Sequence, residues 1–321
     1  MEGMRPAPLL RLIAAGALAA TFTACGGHAH ASALAANATA ATPAATGAAT
    51  VAPSTAARAD GTTPITKAIV FVVENHSLAE MRDGMPRTYA FAREHAYASA
   101  YHAVRHPSLP NYVAIAAGTT FGIADDADPA AHPLRGDNVF RQAVRRGRTV
   151  TTYADAMPGR CTLTNSGSYA VRHNPWTYFV KDRAACRRHD VPVRRHLAHD
   201  ARTGTLPDLG FVIPDVQHDA HDGTLAQADA WIGARIATLT AGPDWRSGRL
   251  AIVVTADEDD RSAGNRVLTV VATHGQRPRV VRTPLDHYSL TGFLEDVIGA
   301  RHLRHARTAP SLARAFHLTT R

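Results

Sequence analysis

Residues 250–260, LAIVVTADEDD, join an unbroken run of apolar and small side chains to four consecutive acids, Asp257, Glu258, Asp259 and Asp260. A continuous run, as opposed to an alternating one, suits a strand covered on both faces. Similar runs recur at AIVFVV (68–73), TVTTYA (149–154), LGFVIP (209–214) and VLTVVAT (267–273). Helical patterns lie between them. TLAQADAWIGARIATL (224–239) opens on a Thr224/Gln227 capping box, with Leu225, Ala228, Ile232, Ile236 and Leu239 at helical spacing. SLTGFLEDVIG (289–299) stops at Gly299, and GDNVFRQAVRRG (136–147) also ends on a glycine. Strands alternating with helices predict an α/β protein: a three-layer α/β/α sandwich around a mostly parallel central sheet.

In such sheets, sites form beyond the carboxyl ends of the strands. Several of the apolar runs end in polar groups of one chemical kind. AIVFVV leads into Glu74, Asn75, His76 and Ser77; LGFVIP leads into Asp215 and then His218, Asp219, His221 and Asp222; LAIVVT leads into Asp257 and Glu258. Carboxylates gathered this closely raise one another's pKa unless a cation compensates them. A divalent metal ion is the expected remedy, and a donor set of oxygen and imidazole suits Zn, Mn, Fe or Ca. A single acidic run is more often a solvated turn; several at one sheet edge are not. Of the 18 histidines, His221 stands out because it lies two residues from Asp219, on the same side if the segment is extended. His287 stands out in LDHYS, at the mouth of a helix. His95, His102, His189 and His199 read as background.

HPSLPNYVAIAAG (106–118) places Ser108 within a residue or two of a helix start marked by Pro110, with Gly118 as the stop. A serine there lies beside backbone N–H groups and the positive end of the helix dipole, a natural phosphate site. Metal coordination would make it a nucleophile. An isolated serine in that position would be read as an ordinary N-cap.

The formal charge of +8 comes almost wholly from arginine, since only Lys67 and Lys181 among the 35 basic residues are lysines. The basic residues are scattered without interleaved aromatics, which argues against nucleic-acid binding. Attraction to anionic substrates or lipid surfaces is compatible with that charge. MEGMRPAPLLRLIAAGALAATFTACGG reads as an export signal over residues 1–25, too short for a permanent membrane span. FTAC fits either a lipoprotein cleavage box, with Cys25 lipidated, or simple secretion. The chain is therefore expected to work outside the cytoplasm, periplasmic, secreted or lipid-anchored. Residues 26–63 are an Ala/Thr-rich stretch with almost nothing to bury, expected to be a disordered linker, and the folded domain is expected over 64–321. Setting Cys25 aside leaves Cys161 and Cys186, and in an exported chain a disulfide is the economical pairing.

FVVENHS, HPSLPNYVAIAAGTTFG, HNPWTYF, FVIPDVQHDAHDG, ADEDD and DHYSLTGFLEDVIG, in that order, resemble the bacterial phosphoesterase family of phospholipases C and secreted acid phosphatases. The resemblance spans roughly residues 66–300 and is strongest to the short secreted branch that includes a phosphatidylinositol-3-phosphate phosphatase. It implies an alkaline-phosphatase-like fold and hydrolysis of phosphate monoesters through a phospho-serine intermediate, with one or two divalent metal ions. Ser108 would be the nucleophile, with Asp219 and His221 as further catalytic groups. The metal ligands would come from Glu74, Asn75, Asp257, Glu258, Asp219, His221 and His287. Asn75, His106, Arg172 and His173 would contact substrate, a phosphorylated small molecule or phospholipid head group, with peripheral membrane contact possible. His76, Asp215 and His218 depart from the family pattern, which commonly has arginine and two asparagines there. A phospholipase C or other phosphodiesterase using the same site is the alternative. A non-catalytic exported binding protein is disfavoured because nucleophile and ligands are all present.

Overall fold

The computed structural model describes residues 63–321; the expected export signal, Cys25 and all but the last residue of the expected linker lie outside them. The first half contains β1 (Lys67–Val73), α1 (Leu78–Gly84), α2 (Pro86–Glu94), β2 (Ala96–His102), α3 (Ser108–Ala117), α4 (Val139–Arg145) and β3 (Val150–Ala154). There follow α5 (Arg183–His189), β4 (Asp190–Pro192), α6 (Val193–Thr203), β5 (Leu209–Ile213), α7 (Leu225–Thr240) and α8 (Pro243–Arg246). The chain closes with β6 (Leu250–Ala256), β7 (Arg266–Thr273), β8 (Arg279–Val281), β9 (Leu285–Asp286), α9 (His287–Val297) and α10 (Leu312–Ala315).

All nine strands form one sheet in the order β4-β3-β5-β1-β6-β7-β2-β8, with β9 beside β2. The five continuous apolar runs are β1, β3, β5, β6 and β7. Every residue of β5 and β6 is buried, as is all of β1 except Lys67. That burial comes from helices packed on both faces. One group contains α1, α2, α6, α7 and α8; another contains α3, α4, α9 and α10. The structure is thus α/β with a mostly parallel sheet. β7 alone runs against its neighbours β6 and β2. The reversal follows from length, because the loop between Ala256 and Arg266 is too short for the crossover that parallel pairing requires. β2, with the sequence AYASAYH and mixed burial, carries none of the continuous hydrophobicity of the central strands.

Local chemistry fixes the helices that bear on the site. Thr224 and Gln227 cap α7 reciprocally, and Asp286 caps α9 through Ser289. All ten residues of α3 are buried, so it is a core helix without a solvent face. It stops at Gly118, whose φ of +66° suits glycine, and a Cβ there would meet the Leu303 carbonyl oxygen at 2.7 Å.

Cys161 and Cys186 are joined by a disulfide, with Cα atoms 5.4 Å apart. Asp190 is buried beside it, both carboxyl oxygens about 3 Å from Asn174 Nδ2. Burial pushes its pKa up to about 8, although the Asn174 hydrogen bond acts the other way. The folded state therefore binds a proton that the unfolded chain has released, and stability falls as pH rises between the ordinary aspartate value and about 8. Asp190→Asn is expected to raise stability at pH 8 by a few kcal/mol and to flatten the pH dependence of urea midpoints across that window. Parallel pH profiles for the variant and the parent would refute this.

Candidate active site

The site begins with backbone pairing that continues one step past the strands. Glu74 N–H donates to the Asp219 carbonyl at 2.8 Å, and Asp257 N–H donates to the Val73 carbonyl at 3.0 Å. Three carboxylates from three separate segments are thereby stitched side by side at the carboxyl edge of β5, β1 and β6. Asn75, with φ of 56°, turns the chain so that its N–H donates to Asp257 Oδ1 at 3.1 Å. Glu74, Asp219 and Asp257 are each 0% exposed.

One face of α3 closes over them. Ser108, the first residue of the helix, donates its hydroxyl to Glu74 Oε2 at 2.9 Å, and Tyr112, one turn on, donates to Glu74 Oε1. Asn111 faces another set of partners. Its Oδ1 accepts from the backbone of Val104 and Arg105, while its Nδ2 reaches the carbonyls of Arg105 and Pro107 and Glu258 Oε2 at 3.1 Å. His106 lies 3.0 Å from Glu258 and 3.2 Å from Asp259, so it bridges two acids of ADEDD.

His173 enters from a short 3-10 turn (Val171–His173) and stacks on Tyr112 with centroids 5.2 Å apart. Its ring nitrogens lie 3.0 Å from Asp219 Oδ2 and 3.3 Å from Glu74 Oε2, yet neither contact has hydrogen-bond geometry. Asp257 Oδ2 is likewise buried without a hydrogen-bond partner. Burial holds His173 well below the usual histidine range, helped by Arg172 and His221, so the ring is neutral. Burial raises Glu74 well above its ordinary value, and raises Asp219 and Asp257 each to about 7. No lysine or arginine contacts the three acids among the described residues. Ligand atoms of Glu74, His173 and Asp219 lie within 4.8 Å of one another. Buried oxygens and imidazole nitrogens that converge without hydrogen bonds fit a divalent cation held between them.

Two expectations need correction. His287 is fully buried, with Nε2 2.6 Å from the Asp257 carbonyl oxygen and Nδ1 3.0 Å from the Tyr101 hydroxyl. Both ring nitrogens are occupied by protein, so His287 braces the Asp257 backbone and offers no lone pair as a ligand. Asp219 and His221 do not lie in extended structure, because Ala220 has φ of 75°. Asp219 points inward, while His221 stands at the mouth between Asp222 (2.6 Å) and Arg172 (3.0 Å), its ring 5.9 Å from that of His173. The residues that sequence reasoning passed over are Tyr112 and Asn111. Their spacing of four and three residues from Ser108 on a helix already placed them on the inward side.

The remaining acids have local partners. Asp259 accepts from the backbone N–H groups of Arg261, Ala263 and Asn265, which makes it a turn residue. Asp215 and His218, two of the unusual residues, compensate one another: His218 Nδ1 lies 2.8 Å from Asp215 and 2.9 Å from Asp155.

A family model described as "Phosphoesterase family" matches residues 81–300, a span that includes Ser108, His173, Asp219 and Asp257 and begins after Glu74. The chain is 32% identical over 251 residues to a "Phosphatidylinositol-3-phosphatase" of Mycobacterium tuberculosis, covering 76% of this chain and 80% of that protein. It is 27% identical over 216 residues to a "Phosphate-repressible acid phosphatase" of Penicillium chrysogenum, covering 63% of this chain and 52% of the relative. Among solved structures, a protein in the alkaline phosphatase superfamily from Vibrio parahaemolyticus superposes with a TM-score of 0.53 at 11% identity, covering 79% of this chain and 72% of that one. That likeness establishes the fold.

Asn111 is the residue on which the geometry of the turn before Ser108 rests. Asn111→Ala removes the acceptor of the Val104 and Arg105 backbone N–H groups and the donor to buried Glu258, and is expected to cost about 2–4 kcal/mol in urea unfolding. A loss below about 1 kcal/mol would show that the turn holds without it.

Proposed function

We propose, from the premise that this chain belongs to the phosphoesterase family and is a phosphoric ester hydrolase, that it cleaves phosphate monoesters through a phospho-serine intermediate on Ser108. The observation that carries this is the placement of Ser108 Oγ at the start of α3, hydrogen-bonded to Glu74 beside the buried Asp257 and Asp219. A nucleophile needs a proton acceptor within reach and a local field that tolerates incoming negative charge. The adjacent carboxylates supply the first, and the N-terminal end of a buried helix contributes to the second.

Glu74, Asp219, Asp257 and His173 would hold a divalent ion. When bound it would neutralise the buried acids, lower the pKa of the Ser108 hydroxyl and stabilise charge on the phosphate oxygens. Ser108 Oγ attacks phosphorus as its proton passes to a neighbouring carboxylate, and the bond to the leaving oxygen breaks in line. When Arg172 turns from His221 Nε2 to the arriving phosphate, that nitrogen is freed, and the protonated imidazole at the mouth hands a proton to the departing alcohol. Water then attacks the phospho-serine, giving its proton to the same imidazole, and inorganic phosphate leaves with Ser108 restored. Tyr112 holds the Glu74 carboxylate in place throughout, and Arg172 beside His221 supplies positive charge where substrate arrives.

The substrate class is a phosphomonoester on a small molecule or a lipid head group. The name of the mycobacterial relative supports phosphatidylinositol 3-phosphate as the first lipid to try. The N-terminal signal and the Cys161–Cys186 bridge support an exported enzyme, secreted, periplasmic or anchored through Cys25.

Phosphate release by the full chain from para-nitrophenyl phosphate and phosphatidylinositol 3-phosphate is expected to vanish with chelator and to return with added divalent metal. Ser108→Ala is expected to lower kcat by about a thousandfold or more with little change in melting temperature. Wild-type turnover in that variant would remove Ser108 from its role. Faster cleavage of bis-para-nitrophenyl phosphate than of the monoester would replace the monoesterase assignment with the diesterase one.

A further inference from the structure

The sheet edge opposite the catalytic one holds a second concavity, a cavity of about 340 Å³. It lies where β1 and β6 begin: Lys67 pairs with Leu250, Thr273 with Ala251, and Arg279 with Ala96. Seven residues of β1 separate that edge from Glu74, which puts the two sites about 20 Å apart.

The lining is basic. Arg246, Arg277, Arg279, His274 and His317 border the cavity together with Gln276, and among the described residues no aspartate or glutamate does. Among the described residues none of the three arginines pairs with a carboxylate; Arg246 donates to the Ala241 carbonyl instead. Gln276 Oε1 accepts from Thr273 N–H at 3.1 Å, which fixes the orientation of the carboxamide. Its Nε2 is thereby left shielded from water with no acceptor, and Arg279 Nε is in the same condition. Buried donors are rarely left unpaired. Two of them beside concentrated positive charge suit an anionic acceptor.

We propose that this cavity binds a phosphate group, at a site separate from the catalytic one. Guanidinium forks match the paired oxygens of phosphate, and a concave basic wall raises the local concentration of anions. Both side chains border the cavity, so their donors would reach an anion there by turning toward it. The volume exceeds that of a bare phosphate ion, so the group arrives either free or as part of a phosphorylated head group.

Equilibrium dialysis of the full chain against labelled inorganic phosphate, with divalent metal present, distinguishes one site from two. The wild type is expected to bind two equivalents. The double variant Arg246→Glu/Arg277→Glu, at exposed positions, is expected to bind one, with kcat on para-nitrophenyl phosphate unchanged. The same reversal at exposed Arg187 and Arg202 should leave both equivalents in place. Vesicles of phosphatidylcholine with and without phosphatidylinositol phosphate form the second arm, in a Ser108→Ala background to prevent hydrolysis. Vesicle binding that needs Arg246 and Arg277, with no second equivalent of free phosphate, assigns the site to a lipid head group. One equivalent in every protein and no such vesicle binding overturns the proposal, as does equal loss in the Arg187/Arg202 control.

Discussion

Three carboxylates buried side by side, with no lysine or arginine against them among the described residues, are the constraint around which this domain is arranged. Moving an ionised carboxylate out of water is costly unless a cation or strong donors meet it. The protein supplies donors to Glu74 from both Ser108 and Tyr112, a backbone N–H to Asp257, and another from His221 to Asp219. These contacts leave one oxygen of Asp219 and one of Asp257 unsatisfied. The cluster is thus partly compensated by the fold and open to one more positive partner. An apolar repacking of these positions would be easier to fold, and the cost is concentrated where strand ends, a helix start and a short turn converge.

Rigid elements hold that arrangement. The acids sit directly at strand ends, where the backbone is already fixed by sheet pairing, and the serine sits at the first residue of a helix buried on every side. His287 secures the Asp257 carbonyl from behind, and Tyr101 secures His287. Positions supported in this way have little freedom to relax when one neighbour is changed. The mouth is built differently. Arg172, His221 and Asp222 are partly exposed and hold one another through side-chain contacts.

Much of this was legible in the sequence because the dominant signals were local. Continuous apolar runs named the five central strands, and the Thr224/Gln227 capping box marked the start of α7 as it stands in the structure. The acids at the ends of those runs named the site edge. ADEDD divides as its surroundings dictate: Asp257 turns inward, Glu258 meets Asn111 and His106, Asp259 organises a turn and Asp260 faces solvent. What the sequence concealed depends on contacts between distant segments. A histidine with both nitrogens taken by protein looks the same in sequence as one with a free lone pair. The left-handed residue Ala220 separates Asp219 from His221, and nothing about an alanine announces that conformation. The edge strands β4, β8 and β9 are too short to carry a periodic signal, and β2 has the alternation of a half-covered strand instead of a central one.

The covalent bridge between Cys161 and Cys186 closes a loop that contains Arg172 and His173. A crosslink of 25 residues' separation limits the unfolded excursions of that loop by about 3 kcal/mol. Arg172 at the mouth and His173 against the buried acids are therefore both carried on a segment whose tether depends on oxidation. With the thiols reduced, the segment would be held by packing alone, and both residues would lose part of their support. The oxidation state of one cystine, remote in sequence from Glu74 and Asp257, thus bears on how firmly the residues around the buried acids are held.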